Sequence, residues 1–181
     1  MVMTNITADE HHLWIVLHQT FNLMLKCEEV ASAKAGLSRE KYDVLMAIKF
    51  YNVVEEEQVI GTNLASVLYR STNSISTIVD RMENEGLIEK KRDLPDRRAI
   101  RLVVTPKAEA ILRKASKPYM EIIKSLCSIY TLSELKSMIA LMERLKRKAN
   151  DESGFKKFQG EADLSNYPKM VDFLIQLNEG E

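Results

Sequence analysis

Residues 91–106, KRDLPDRRAIRLVVTP, place five lysines and arginines around a proline-containing turn and follow them with an alternating apolar run. Ammonium and guanidinium groups gathered at a bend suit phosphate oxygens, although charge also marks ordinary solvated turns. Upstream, STNSIST at 71–77 collects hydroxyl and amide side chains where a helix would begin. Thr72, Asn73, Ser74, Ser76 and Thr77 are the short donors and acceptors that reach base edges, or bind phosphate beside the free N–H groups of a helix start. Asn73 matches an adenine edge and Thr77 a thymine methyl. In the blander reading these residues only cap and solvate their helix.

Other chemistries find little to work with. His11, His12 and His18 fall on or before the first helical segment with no cysteine or carboxylate at ligand spacing. Glu55, Glu56 and Glu57 read as a solvated loop, and there is no glycine-rich phosphate loop. Cys27 and Cys127 lie too far apart for a zinc spacing and form no disulfide framework, so they read as packed thiols. No metal, cofactor or enzymatic activity is expected. Met1 to Glu10 is polar, and no run approaches the roughly 18 apolar residues of a membrane span. A cytoplasmic protein is the simplest expectation.

The formal net charge is zero, but it is unevenly spread. Residues 1–60 hold 5 basic against 9 acidic residues, 61–149 hold 18 against 10, and 150–181 hold 3 against 7. A basic middle between acidic flanks suits a local anionic contact better than the sum suggests.

The elements that must position these groups are mostly helical. Leu13, Val16, Leu17, Phe21, Met24 and Leu25 recur at three- and four-residue steps, predicting a helix over 9–33 that ends near Gly36. Ser38 reads as the cap of a second helix carrying Tyr42, Leu45, Met46 and Ile48. Val59 to Gly61 suits a very short strand, and Thr62 reads as the cap of a third helix with Leu64, Ala65, Val67 and Leu68 inward. After a tight connection at 69–71, a fourth helix turns Ile75, Ile78, Val79 and Met82 inward and ends at Gly86. The period then changes to alternation, predicting strands over 87–92 and 98–105. Thr105-Pro106 starts a fifth helix reaching about 128, and Ser133 reads as the cap of a sixth reaching about 149. Residues 150–181 form a polar extension with an apolar run at 170–177. The expected fold is mainly α with a small β-hairpin.

A helix-turn-helix at 62–86, followed at once by a basic hairpin and a long helix, resembles the winged helix-turn-helix of the MarR family of transcription regulators. The resemblance is carried by STNSISTIVDRMENEGLIEKKRDLPDRRAIRLVVTPKAEAIL at 71–112, with Asp96-Arg97-Arg98 at the wing tip and Thr-Pro at the next helix start. It covers about 9–149 and implies a DNA-binding lobe at about 38–105, with dimerisation helices at about 9–33 and 106–149. By the same resemblance Asp96 braces an arginine, and either Arg97 or Arg98 enters the minor groove, whose narrow negative channel suits a guanidinium. Lys90, Lys91, Arg92 and Arg101 are then expected to face phosphates.

The outer helices carry more apolar surface than a lone small domain needs, so a homodimer on a pseudo-palindromic operator is expected. The resemblance also implies a small-molecule effector pocket, for which Trp14, Leu17, Phe21, Tyr42, Met46 and Tyr119 are the candidates; a stripe of this kind is also ordinary core. The function that follows is sequence-specific, double-stranded DNA-binding transcription regulation, most simply repression. The alternative is a winged-helix protein-interaction module whose basic tip meets an acidic partner.

Overall fold

The computed structural model describes residues 6–53, 59–94 and 99–153, together with 169, 171, 172, 175 and 176. Six helices and one hairpin follow in the order α1 (Ala8–Ala33), α2 (Arg39–Val53), α3 (Gly61–Val67), α4 (Thr72–Asn84), β1 (Ile88–Lys91), β2 (Arg101–Val104), α5 (Pro106–Cys127) and α6 (Leu132–Ser153). This is the mainly helical winged helix-turn-helix that the sequence predicts. The wing-tip residues Asp96, Arg97 and Arg98 lie outside the described residues, as does most of the 150–181 extension.

Local chemistry accounts for most boundaries. Thr7 and Glu10 form a reciprocal capping box at the start of α1. Ser38 accepts from Lys41 N at 3.4 Å at the start of α2, as expected. Two caps differ from expectation. α3 begins one residue before Thr62, with Ile60 as its N-cap and no side-chain bond, because Ile60 is still engaged in a bridge to Arg101. At α6 the cap is Thr131, whose hydroxyl accepts from Glu134 N at 3.3 Å while Glu134 accepts from Thr131 N at 2.8 Å; that reciprocal box outcompetes Ser133.

The hairpin pairs antiparallel, Ile88 opposite Val104 and Lys91 opposite Arg101. The short segment before α3 joins it as a third line of backbone, Leu102 N donating to Val59 O at 3.0 Å. The core lies beneath: Leu45, Ile48 and Tyr51 of α2, Leu64 of α3, Ile75 and Met82 of α4, Ile88, Leu102 and Val104 of the hairpin, and Leu112 of α5 form one buried cluster. Both ends of the helix-turn-helix close with a residue in left-handed backbone. Tyr69 (φ 50) ends α3, with Arg70 N donating to Ala65 O at 2.8 Å. Gly86 (φ 70) ends α4, with Leu87 N donating to Met82 O at 2.8 Å.

Gly86 thereby sets the angle at which the chain leaves α4 and enters the wing. Nothing lies near a Cβ added there, so an alanine would meet only the backbone penalty. Gly86→Ala is expected to destabilise the protein by about 1 kcal/mol in urea unfolding. A loss several times larger would mean that the alanine is repelled by side chains rather than by its own φ.

Candidate nucleic-acid interface

The buried stripe Ile75, Ile78, Val79 and Met82 turns the opposite face of α4 to solvent. Thr72, Asn73, Ser74, Ser76 and Thr77 are all exposed there. Ser71 caps the helix, accepting from Ser74 N at 3.1 Å and exchanging a 2.8 Å hydroxyl contact with Ser74. Thr77 Oγ1 donates to Asn73 O at 3.0 Å. One residue missing from the sequence reading belongs with them. Arg81 follows Asn73 and Thr77 at four-residue steps, so the three stand in one line along the helix, and Arg81 is exposed with no ion-pair partner among the described residues. The i, i+4 spacing was there to be used.

The basic residues of the hairpin separate into two sets. Lys91 and Arg92 are exposed; Lys91 lies 3.4 Å from Glu89. Lys90 turns inward instead, its Nζ bonded to Asp80 and 2.8 Å from Glu83 Oε2. Those two carboxylates raise its pKa, Asp80 first. Arg101 turns across the hairpin onto Asp93, its Nε donating at 3.0 Å and its Nη2 gripping the second oxygen. The Arg101 guanidinium holds the Asp93 carboxyl below its usual range. A cleft of about 480 Å³ separates α4 from the hairpin, lined by Thr72, Ser76 and Asp80 on one side and by Lys90, Ile100 and Leu102 on the other.

The charge of the basic middle is placed differently from what the wing motif implies. Residues 61–105 hold 8 basic against 6 acidic residues, whereas 106–149 hold 10 against 4. Most of the excess therefore sits on α5 and α6. Those helices and α1 also carry the uncovered apolar surface. Trp14 and Phe21 are each 59% exposed on α1, Ile139 and Leu141 each 56% on α6, and no side chain of α6 is buried.

The six candidate pocket residues do not all meet. Tyr42 and Met46 are buried and Tyr119 packs against the same cluster, the two tyrosine rings tilted at 4.7 Å between centroids. Leu17 is half-buried, while Trp14 stacks on His18 in solvent and Phe21 stands exposed. Around the tyrosine pair, Tyr119 Oη donates to Glu28 Oε1 at 3.2 Å, and Tyr42 Oη is buried with no hydrogen-bond partner among the described residues. Burial pushes both phenols upward, with Asp43 and Glu28 adding to the effect. Cys27 is half-buried, but Cys127, read as a packed thiol, is exposed because it occupies the last position of α5. Among the described residues no helix is long and apolar enough to cross a membrane, and no cluster of histidine, cysteine and carboxylates has metal-site geometry.

Residues 37–100 match the model of the MarR family. The chain is 27% identical over 96 residues to the uncharacterized HTH-type transcriptional regulator YsmB of Bacillus subtilis, a match covering 51% of this chain and 65% of that protein, less than two thirds of its length. The structure resembles AbsC, a MarR family transcriptional regulator from Streptomyces coelicolor, with a TM-score of 0.73 at 17% identity over 82% of this chain and 99% of that one. It also resembles a mutant MarR from E. coli complexed with operator DNA, with a TM-score of 0.67 at 15% identity over 78% and 99% of the two chains. At these identities the likeness shows the fold.

Asp43 supplies a test of the junction beside the lobe. Burial pushes its carboxyl up to about 6, against the pull of Arg39 at 2.7 Å, and Glu28 pushes the same way as burial. A carboxyl whose folded-state pKa is raised holds its proton more tightly when folded, so its contribution to stability declines as pH rises from about 4 to about 6. Asp43→Asn removes that decline. The stability of the variant relative to wild type, from urea unfolding at equal protein concentration, is expected to rise by about 2 kcal/mol between pH 4 and pH 7. A pH-independent difference would mean that Arg39 fully compensates the burial.

Proposed function

We propose that this chain, whose residues 37–100 match the MarR family model and whose fold is a winged helix-turn-helix, is a transcription regulator that binds specific double-stranded DNA as a homodimer and represses by occupying its site. The observation that carries this reading is the solvent-facing line Asn73, Thr77 and Arg81 on α4, set beside a hairpin with Lys91 and Arg92 outward. An amide, a methyl-bearing hydroxyl and a guanidinium are the groups that discriminate base edges in a major groove. The neighbouring hairpin is the element that reaches the adjacent minor groove, with Asp96 bracing Arg97 or Arg98 at its tip. The operator complex of a similarly folded protein supports the same use of the fold.

Dimerisation is supported by the exposed large apolar side chains along α1 and α6, since clustered apolar surface of this kind marks interaction faces. A two-fold pair of lobes matches a pseudo-palindromic site, and the cytoplasm is where such a site would be met. A small-molecule effector would act at the Tyr42–Tyr119 cluster, where α2 meets α5, and would work only through different affinities for two lobe spacings.

The test is selection of bound duplexes from random and genomic DNA, followed by titration of the selected site and a scrambled one. Asn73→Ala and Thr77→Ala are each expected to cost about 1–3 kcal/mol on the selected site and much less on the scrambled one. Equal losses on both would overturn base reading by α4. Sedimentation at micromolar concentration is expected to show the dimer; a persistent 20.7 kDa species would remove the two-lobe account.

A further inference from the structure

The two-sided placement of the wing's cations has a consequence for how the wing is held. Along β1, Ile88 is buried, Glu89 exposed, Lys90 half-buried and Lys91 exposed. Ile88 and Lys90 therefore share the inward face of the strand, where alternation would call for an apolar residue. A lysine at such a position needs a partner, and α4 supplies two. Asp80 and Glu83 stand three residues apart on the side of α4 that faces the hairpin, and Lys90 Nζ bonds both. Lys90 and Asp80 line opposite walls of the cleft between α4 and the hairpin, so the ion pair spans it. Other contacts fasten the C-cap of α4 to the body: Lys41 Nζ binds the Glu85 carboxylate at 2.6 Å, and Lys107 Nζ donates to Glu85 O at 2.7 Å. Among the described residues, Lys90 makes the ion pairs that join α4 to the hairpin.

We propose that Lys90 is a positioning residue: bound to Asp80 and Glu83, it pins the wing to α4 and sets the angle at which the exposed wing cations meet the duplex. The proposal rests on the DNA-binding reading above and gives Lys90 a role other than phosphate contact. It also accounts for two carboxylates on a helix that must approach phosphates. Lys90 offsets their charge, and the wing is aligned by the same bond. Without the ammonium, Asp80 and Glu83 would repel each other and the DNA, and the hairpin would keep its backbone ties and the buried Ile88, Leu102 and Val104 but lose its ionic tie to α4.

The experiment uses the full chain carrying Lys90→Met, Lys90→Arg, or Asp80→Asn with Glu83→Gln. In the free protein, amide exchange at 88–91 and 101–104 is expected to quicken roughly three- to tenfold in Lys90→Met and in the double variant, with α5 amides unchanged. On the selected site, the preference for A·T-rich over G·C-rich flanks should shrink about threefold, because the wing no longer presents its cations at a fixed angle. The slope of log affinity against log salt should stay at the wild-type value, since no phosphate contact is lost. Lys90→Arg, which can grip both carboxylates, should restore exchange and flank preference. A slope flatter by about 0.9 with hairpin exchange unchanged would make Lys90 a phosphate contact and overturn the proposal. So would wild-type exchange and wild-type flank preference in Lys90→Met. If wild type prefers no duplex over another, the DNA reading fails on its own, and the exchange result alone decides whether Lys90 is a pin.

Discussion

The packing of Ile75, Ile78, Val79 and Met82 into the lobe's core is the contact on which the rest of the surface depends. These four side chains are each 9% exposed or less and lie with Leu45, Ile48 and Leu64 in one cluster. Burial of an aliphatic side chain of this size is worth about 1.5–3 kcal/mol, so the four together fix the rotation of α4 about its own axis. A helix held that way has no freedom over which residues it shows. Asn73, Thr77 and Arg81 face outward because the stripe faces inward, and Asp80 and Glu83 face the hairpin for the same reason. Gly86 and Thr105 carry the orientation onward. Gly86 turns the chain into the wing, and the Thr105 hydroxyl donates to Gly86 O at 2.8 Å while accepting from Ala108 N at 3.2 Å. One threonine thus closes the wing and starts α5, tying the lobe to the long helix.

Much of this was legible from residue types and spacing. The inward stripe of α4 appears residue for residue in the alternation of three- and four-step apolar positions. The starts of α2, α4 and α5 follow from Ser38, Ser71 and Thr105-Pro106, whose caps are local chemistry. The misread caps failed where a non-local or reciprocal contact decided the matter: Ile60 is held by a bridge to Arg101, and Thr131 has Glu134 three residues on. The directions of Lys90 and Arg101 were not legible for a related reason. A lysine or arginine reads as solvent-facing until its carboxylate partners are placed, and Asp80, Glu83 and Asp93 reach them only through the fold. Exposure of Cys127 followed from the end of α5, which periodicity locates only to within a residue or two.

The distribution of charge and apolar surface divides the molecule into two working parts. Residues 61–105 of the lobe are nearly balanced, 8 basic against 6 acidic, and Asp80, Glu83 and Asp93 among them are engaged by Lys90 and Arg101. The lobe's proposed affinity for DNA therefore depends on where its few free cations point more than on a broad positive field. α1, α5 and α6 carry the uncovered apolar faces that the proposed second copy would cover, and α5 and α6 also carry the larger positive excess. The tyrosine pair at 42 and 119, with Glu28 and Asp43 beside it, lies at the seam between these parts.

The central claim is that α4 reads a major groove while the wing reads the flanking minor groove, twice, across a two-fold pair. Dimethyl sulfate protection on the selected duplex tests this directly, because it reports guanine N7 in the major groove and adenine N3 in the minor groove. The account predicts two blocks of N7 protection about one helical turn apart, each flanked on its outer side by N3 protection. Bound duplex with unprotected N7 positions, or with a single protected block, would contradict it.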